Sequence, residues 1–161
     1  MSFQSFFDYP TQSGNDSSED LVFLPHWDEA RWSKLLSYTA NLRFRLGDSL
    51  IKLGDTDSAI YIITEGQVEI LVPYKGEQQL RRTQIRESGS VIGEQAFIDG
   101  KPRSATARAI SDGSMVRLNR NAFEVFAARE PDLARDVLFD LARLLSVKLR
   151  QANQFISNWV K

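Results

Sequence analysis

The chain has no cysteine and one histidine in 161 residues. Without thiols there is no disulfide, no cysteine nucleophile and no cysteine-held iron–sulfur cluster, and the absence suits a reducing compartment. A single imidazole, His26, argues against a histidine-built metal centre and against a Ser-His-Asp triad. It precedes the strand-rich region and reads as a packed or solvated side chain. Charge of one sign is missing too. Lys and Arg number 20 against 21 Asp and Glu, a net charge of −1, so no broad basic field is available to hold nucleic acid. No apolar run approaches the roughly 20 residues of a membrane span, and no leader peptide is legible. What is present is an ordinary globular composition, 42% hydrophobic and 25% charged, on a length that suits one domain with a sizeable core. The cytoplasm is the expected setting.

The pattern changes along the chain. Residues 1–20 carry Phe3, Phe6, Phe7 and Tyr9 and then a run rich in Ser, Asn, Asp and Gly, the composition of a flexible tail. Residues 21–161 read as the domain. Residues 27–36 have acids early and bases late, as a helix dipole prefers, with Trp27 and Trp32 as packing residues. From Leu42 to Leu118 short strand-like runs are separated by turns at Gly47-Asp48, Gly54-Asp55, Lys75-Gly76 and Asp112-Gly113. Glu65-Gly66 reads as a tight hairpin between two of them. About eight short strands with glycine at the corners imply a jelly-roll β-barrel. Residues 121–128 form a short helix, and Pro131 opens a long one, residues 131–158, at a position that tolerates proline.

Residues 92–106 hold the chemistry. Gly93 lets the backbone approach a ligand. Glu94 to Ile98 can make about one helical turn whose free N–H groups attract an anion. Glu94 can accept hydrogen bonds from a sugar hydroxyl pair. Arg103, at the opening of the next strand, brings a planar donor fork that matches a phosphate, and Ser104 adds a hydroxyl beside it. Taken singly, Glu94 and Arg103 would pass for a surface ion pair worth little. Together they suit a small ligand with a ribose diol and one phosphate.

Gly93-Glu94-x-Ala96 followed by Pro102-Arg103-Ser104-Ala105-Thr106 closely resembles the phosphate-binding cassette of cyclic-nucleotide-binding domains. The order of Gly47-Asp48, Gly54-Asp55, Tyr61-Ile62-Ile63 and Gly66-Gln67-Val68 resembles the family's barrel as well, so the likeness covers roughly residues 40–150. The resemblance implies a mainly β fold with α: a double-stranded β-helix of about eight strands, an N-terminal helix, a short cassette helix and a long C-terminal helix. It implies that Glu94 meets the ribose 2′-hydroxyl and Arg103 the cyclic phosphate, with Gly93, Gln95, Ala96, Ser104 and Ala105 around them. Thr106, Lys148 and Leu149 are then the candidates for base or lid contacts. Lys148 and Leu149 stand where the catabolite-activator branch has a hydroxyl pair, which leaves the base contact unassigned. Gln95, Phe97 and Ala107 are milder departures. Cyclic AMP is the favoured ligand, since Ser104 is common in bacterial cyclic AMP sites, and cyclic GMP the second. No cofactor, metal or catalytic residue is expected.

On the long helix, Leu138, Ala142, Leu145, Leu149, Ala152, Ile156 and Trp159 alternate by four and three, an a/d seam of about three heptads. A second face, Leu133, Val137, Leu141 and Leu144, suits packing on the barrel. Two apolar faces predict a parallel homodimer through this helix and helix repacking as the signal, passed to a protein partner. The activator branch carries a helix-turn-helix after this helix. None is legible here, so direct DNA binding is not expected. The alternatives are a nucleotide-free interaction module of the same fold and a regulatory domain of a larger channel, transporter or kinase. A metal-dependent cupin enzyme would need several histidines.

Overall fold

Strands form here where apolar residues alternate or run together between tight turns, and among the described residues helices flank them on both sides. The computed structural model describes residues 20–74 and 78–159. The aromatic cluster Phe3, Phe6, Phe7 and Tyr9 and the turn at Lys75-Gly76 lie outside the described residues, as do Val160, Lys161 and the side chain of Trp159.

The first helix among the described residues, α1 (Glu29–Leu36), begins two residues later than its sequence pattern predicts. Asp28 caps it, its carboxylate accepting from the Arg31 amide. The strands follow: β1 (Ala40–Phe44), β2 (Ser49–Ile51), β3 (Ile60–Glu65), β4 (Val68–Pro73), β5 (Leu80–Arg86), β6 (Val91–Ile92), β7 (Thr106–Ala109) and β8 (Gly113–Leu118). Helix α2 (Glu94–Asp99) lies between β6 and β7, and α3 (Arg120–Arg129) and α4 (Pro131–Trp159) follow β8. Asn119 caps α3 through its side-chain oxygen.

Among the described residues eight strands make two four-stranded antiparallel sheets, β1-β8-β3-β6 and β2-β7-β4-β5. This is the expected jelly-roll arrangement. Two details differ from the sequence reading. Glu65-Gly66 is not a hairpin, because β3 and β4 belong to different sheets. The chain crosses between sheets there, and Gln67 bonds to the β7–β8 connection, its amide to Ser111 Oγ and its carbonyl to the Ile110 amide. Leu46, which continues the Leu42, Phe44 alternation in the sequence and so reads as a strand residue, is 67% exposed because β1 ends at Phe44.

The core has two compartments divided by the β3 sheet. Tyr61 and Ile63 face the barrel interior with Phe44, Ile51, Val68, Ile92 and Met115. Ile60 and Ile62 face the helices, where Phe23, Trp32, Leu35, Phe97, Phe123, Phe126, Val137, Leu141 and Leu144 pack. β3 is therefore buried on both faces, which is why its run Ile-Tyr-Ile-Ile shows no polar alternation. Trp32 meets Phe23 and Trp27 edge-on at centroid distances of 6.0 and 5.6 Å, as packing residues should. The N-terminal segment is tied to α4. Arg143 donates to the carbonyls of Asp20 and Val22, and Asp140 accepts from the Leu24 amide.

On α4 the stripe Val137, Leu141, Leu144 is fully buried against the barrel, with Leu133 partly buried beside it. Four residues beyond Leu144 the same stripe reaches Lys148. The other stripe is open: Leu138, Leu149 and Ile156 are 42%, 62% and 58% exposed, and Phe139 and Phe155 are also exposed.

Candidate functional site

A cavity of about 210 Å³ opens between β4, β5, the β6–α2 turn and β7, and Lys148 of α4 reaches its rim. Its lining includes Gly93, Glu94, Gln95, Ala96, Arg103, Ser104, Ala105 and Thr106. The fold thus brings together all the sequence-predicted ribose and phosphate residues. The walls are apolar: Ile51, Ile70, Val72, Val91, Ile92 and Ala107.

Gly93 makes the turn from β6 into α2. Its φ is +81°, left-handed backbone that suits glycine, and an added Cβ would lie 2.6 Å from Arg103 Nη1. The arginine and the glycine are therefore fitted to one another. Arg103 is 4% exposed. Its Nη1 donates to the Gly93 carbonyl at 3.0 Å, and its Nη2 donates to Ala59 O at 2.6 Å and Asp57 Oδ2 at 2.9 Å. Three of five N–H donors hold the guanidinium in place, and two are left for an anionic oxygen. Arg103 lies just before β7 rather than within a strand. Its own amide and carbonyl bond to Asp55 and Gly54 in the β2–β3 loop.

Asp57, on that same loop, is a residue that sequence reasoning missed. It pairs with Arg103, receives a 3.2 Å bond from Arg117 and another from the Tyr61 hydroxyl. Burial works to raise its pKa. The Arg103 hydrogen bond, the Ala59 amide and the charges of Arg103 and Arg117 outweigh that and hold its carboxyl below the usual range. No local motif marks this aspartate, because its partners are 46 and 60 residues away.

Glu94 is 6% exposed, and its carboxylate accepts from Lys148 Nζ. Its second oxygen retains acceptor capacity for a sugar hydroxyl. Burial pulls the Lys148 ammonium below the usual lysine range, Glu94 opposing and Arg86 adding to the shift. The exposed Ser104 hydroxyl donates to Gln95 Oε1, linking the two halves of the cassette. Thr106 accepts from the Leu53 amide at 3.0 Å while lining the cavity. Leu149, a candidate lid residue, does not line the cavity. It sits about 100° round α4 from Lys148, on the exposed stripe. The cavity also holds Arg86 and Gln84 from β5, which the sequence reading passed over.

α2 is joined to the helices behind it. Arg120 of α3 donates to the Phe97 carbonyl at 2.9 Å, and Phe97 meets Phe123 edge-on at 5.4 Å. Among the described residues no cluster of acidic or histidine side chains could hold a metal, and no helix is long and apolar enough to cross a membrane.

Known proteins share this fold. In Drosophila melanogaster, neuropathy target esterase sws is 28% identical over an alignment of 135 residues that covers 78% of this chain and 10% of that protein. The Drosophila willistoni protein of the same name is also 28% identical, over 9% of its length. The chain thus spans about a tenth of these relatives. The Thermus thermophilus catabolite activator protein superposes with a TM-score of 0.72 at 26% identity, over 84% of this chain and 61% of that one. A cyclic nucleotide-binding domain from Methylobacillus flagellatus gives 0.77 at 21% identity, over 98% and 96%, a likeness of fold. The model of the cyclic nucleotide-binding domain family matches residues 41–130, more than half of the chain, and the chain belongs to that family.

Proposed function

We propose that this domain binds a cyclic 3′,5′-nucleotide through Arg103 and Glu94 and signals by repacking α4 in a homodimer. The observation that carries the reading is the placement of Arg103. The guanidinium is buried, braced by Asp57 and two carbonyls, and still has donors left toward a cavity shared with Glu94. Removing a charged group to such a depth costs several kcal/mol unless it is paired. Here pairing fixes its position, and the side chain lines the cavity.

The same geometry supplies a route for the signal. A ribose hydroxyl on the second oxygen of Glu94 would sit beside the Lys148 bond that ties α4 to the barrel, so ligand entry would act on that bond. A ligand shifts an equilibrium only through contacts that differ between states, and this bond would be one of them. Movement of α4 would reach residues 20–24 through Arg143 and Asp140. It would also reach a second copy through the stripe Leu138, Ala142, Leu145, Leu149, Ala152 and Ile156, in which Leu145 is half-buried and the others are exposed. The sensor reading places the chain in regulation, with a protein partner downstream and no chemistry of its own. Cyclic AMP, favoured by Ser104, and cyclic GMP are the two ligands to titrate.

Calorimetry with both nucleotides on wild type and Arg103→Ala tests the site. Losing the phosphate partner costs about 2–3 kcal/mol, a fall in affinity of roughly 30- to 150-fold. Binding that survives the substitution unchanged would sink the assignment.

A further inference from the structure

The sheet β2-β7-β4-β5 ends on β5, which pairs with β4 alone among the described residues. At seven residues β5 is the longest described strand, and five of its residues are exposed. An edge of that length offers a row of unpaired backbone groups. Ile70, Val72 and Ala107 line the cavity, so their neighbours Glu69 and Leu71 on β4 and Arg108 on β7 point to the outer face. The register sets Ile85 of β5 opposite Glu69, Arg82 opposite Leu71 and Leu80 opposite Pro73. Glu69 is 4% exposed on that face, shielded by two guanidiniums. Arg82 Nε donates to its Oε2 at 2.7 Å, Arg108 Nε donates to its Oε1 at 2.7 Å, and each arginine adds its Nη2. The Nη1 donors are left over, and half of each side chain is exposed.

Charges on a sheet edge often serve to repel other strands. A charge set to repel needs no brace and no apolar neighbours. Here both guanidiniums are held on one carboxylate, at a cost in side-chain entropy. Leu80 and Ile85, 38% and 43% exposed, stand on either side of Arg82 along the outer face of β5. One carboxylate between two arginines leaves a net charge of +1. Leu80–Arg86 carries three arginines and no acid, so a second copy of β5 laid alongside would set like charges together. A chain of net charge −1 with apolar side chains flanking the arginine suits nucleic acid poorly. An extended acidic segment satisfies the backbone edge, the apolar side chains and the surplus charge together.

We propose that β5 is a docking edge for an extended acidic peptide segment of a partner protein, which adds a strand to the sheet. Its main chain pairs with β5. A carboxylate in it takes the spare donors of Arg82, and apolar side chains two positions to either side pack on Leu80 and Ile85. Arg108 is a positioning residue. By sharing Glu69 it leaves the charge of Arg82 uncancelled.

Selection from a phage-displayed library of random octapeptides on the intact chain tests this, followed by amide hydrogen exchange with the selected peptides. The expected peptides carry an acid with an apolar residue two positions to either side, and they slow the β5 amides that do not bond to β4. Changing that acid to lysine should weaken binding roughly tenfold or more. Arg82→Gln, which keeps an amide donor for Glu69, should cost a similar factor. The wild-type selection needs no variant, so a poorly folded Arg82→Gln does not spare the idea. No enriched peptide, enriched peptides without an acid, or slowed amides elsewhere in the chain overturn it. So does slow exchange of those β5 amides before any peptide is added, which assigns the edge to a second copy or to this chain itself. A labelled single-stranded oligonucleotide that slows them where the peptides do not also overturns it. None of these outcomes bears on the nucleotide reading, which the calorimetry above tests separately.

Discussion

Replacing Gly93 with alanine sets a methyl group against the arginine that holds the phosphate. The backbone at Gly93 has φ +81° and ψ 14°, and a residue with a Cβ in that left-handed region costs about 1–2 kcal/mol. The methyl would also lie 2.6 Å from Arg103 Nη1, 3.0 Å from Ala59 O and 3.1 Å from Ile51 Cδ1. Two of these neighbours cannot yield cheaply. One is backbone, and the other is a guanidinium held at both ends by Gly93 O, Ala59 O and Asp57. Relief requires breaking at least one charge-assisted hydrogen bond, about 1.5–3 kcal/mol. The total is about 2.5–5 kcal/mol, set against a domain stability of about 5–15 kcal/mol. Gly100 is the control. Its φ is +68° and nothing lies within 4 Å of an added Cβ, so Gly100→Ala carries only the backbone cost of about 1–2 kcal/mol. Equilibrium urea unfolding of both variants, with unchanged slope, measures the difference. Gly93→Ala should lose at least about 1.5 kcal/mol more than Gly100→Ala, and it alone should weaken nucleotide binding, since only it displaces Arg103. Equal losses in the two variants would refute the claim that Gly93 and Arg103 are sterically fitted.

Two further outcomes follow from the same geometry. Asp57 has a folded pKa below its ordinary 3.8, so its stabilisation is present above that value and is lost as pH falls through the folded pKa. Asp57→Asn should therefore be less stable than wild type near neutrality. The gap should narrow below about pH 4, with Glu69, also lowered, still contributing an acid limb in both proteins. Urea midpoints across pH read this, and a gap that stays constant into strong acid would contradict it. On α4, a dimer through the exposed stripe should sediment as such at micromolar concentration. Leu145→Glu with Leu149→Glu should give a monomer of unchanged circular dichroism, because neither residue belongs to the buried stripe. A wild-type monomer would remove the seam.

The strand-rich middle and the long helix were legible because their signals are local. Alternation, corner glycines and the four-three spacing of α4 depend on residues a few positions apart. The errors came where neighbours in sequence part company in space. Glu65-Gly66 has the chemistry of a hairpin turn, yet pairing with β8 and β6 keeps β3 in one sheet while β5 and β7 claim β4 for the other. Lys148 and Leu149 look alike as candidates for the lid, and one helical step of about 100° sends the first into the cavity and the second to the surface.

By itself the sequence determined the cassette: a glycine, a carboxylate one step on, and an arginine nine residues after that carboxylate, in an order that suits a ribose phosphate. It also determined the amphipathic helix that closes the chain. Only the tertiary structure decided the surroundings of those groups. Asp57 braces Arg103 across 46 residues, Lys148 reaches Glu94 across 54, and Arg86 arrives from a neighbouring strand. The physical reason is that charge balance in a buried site is summed over space. The partners that set it share a cavity and share no local pattern.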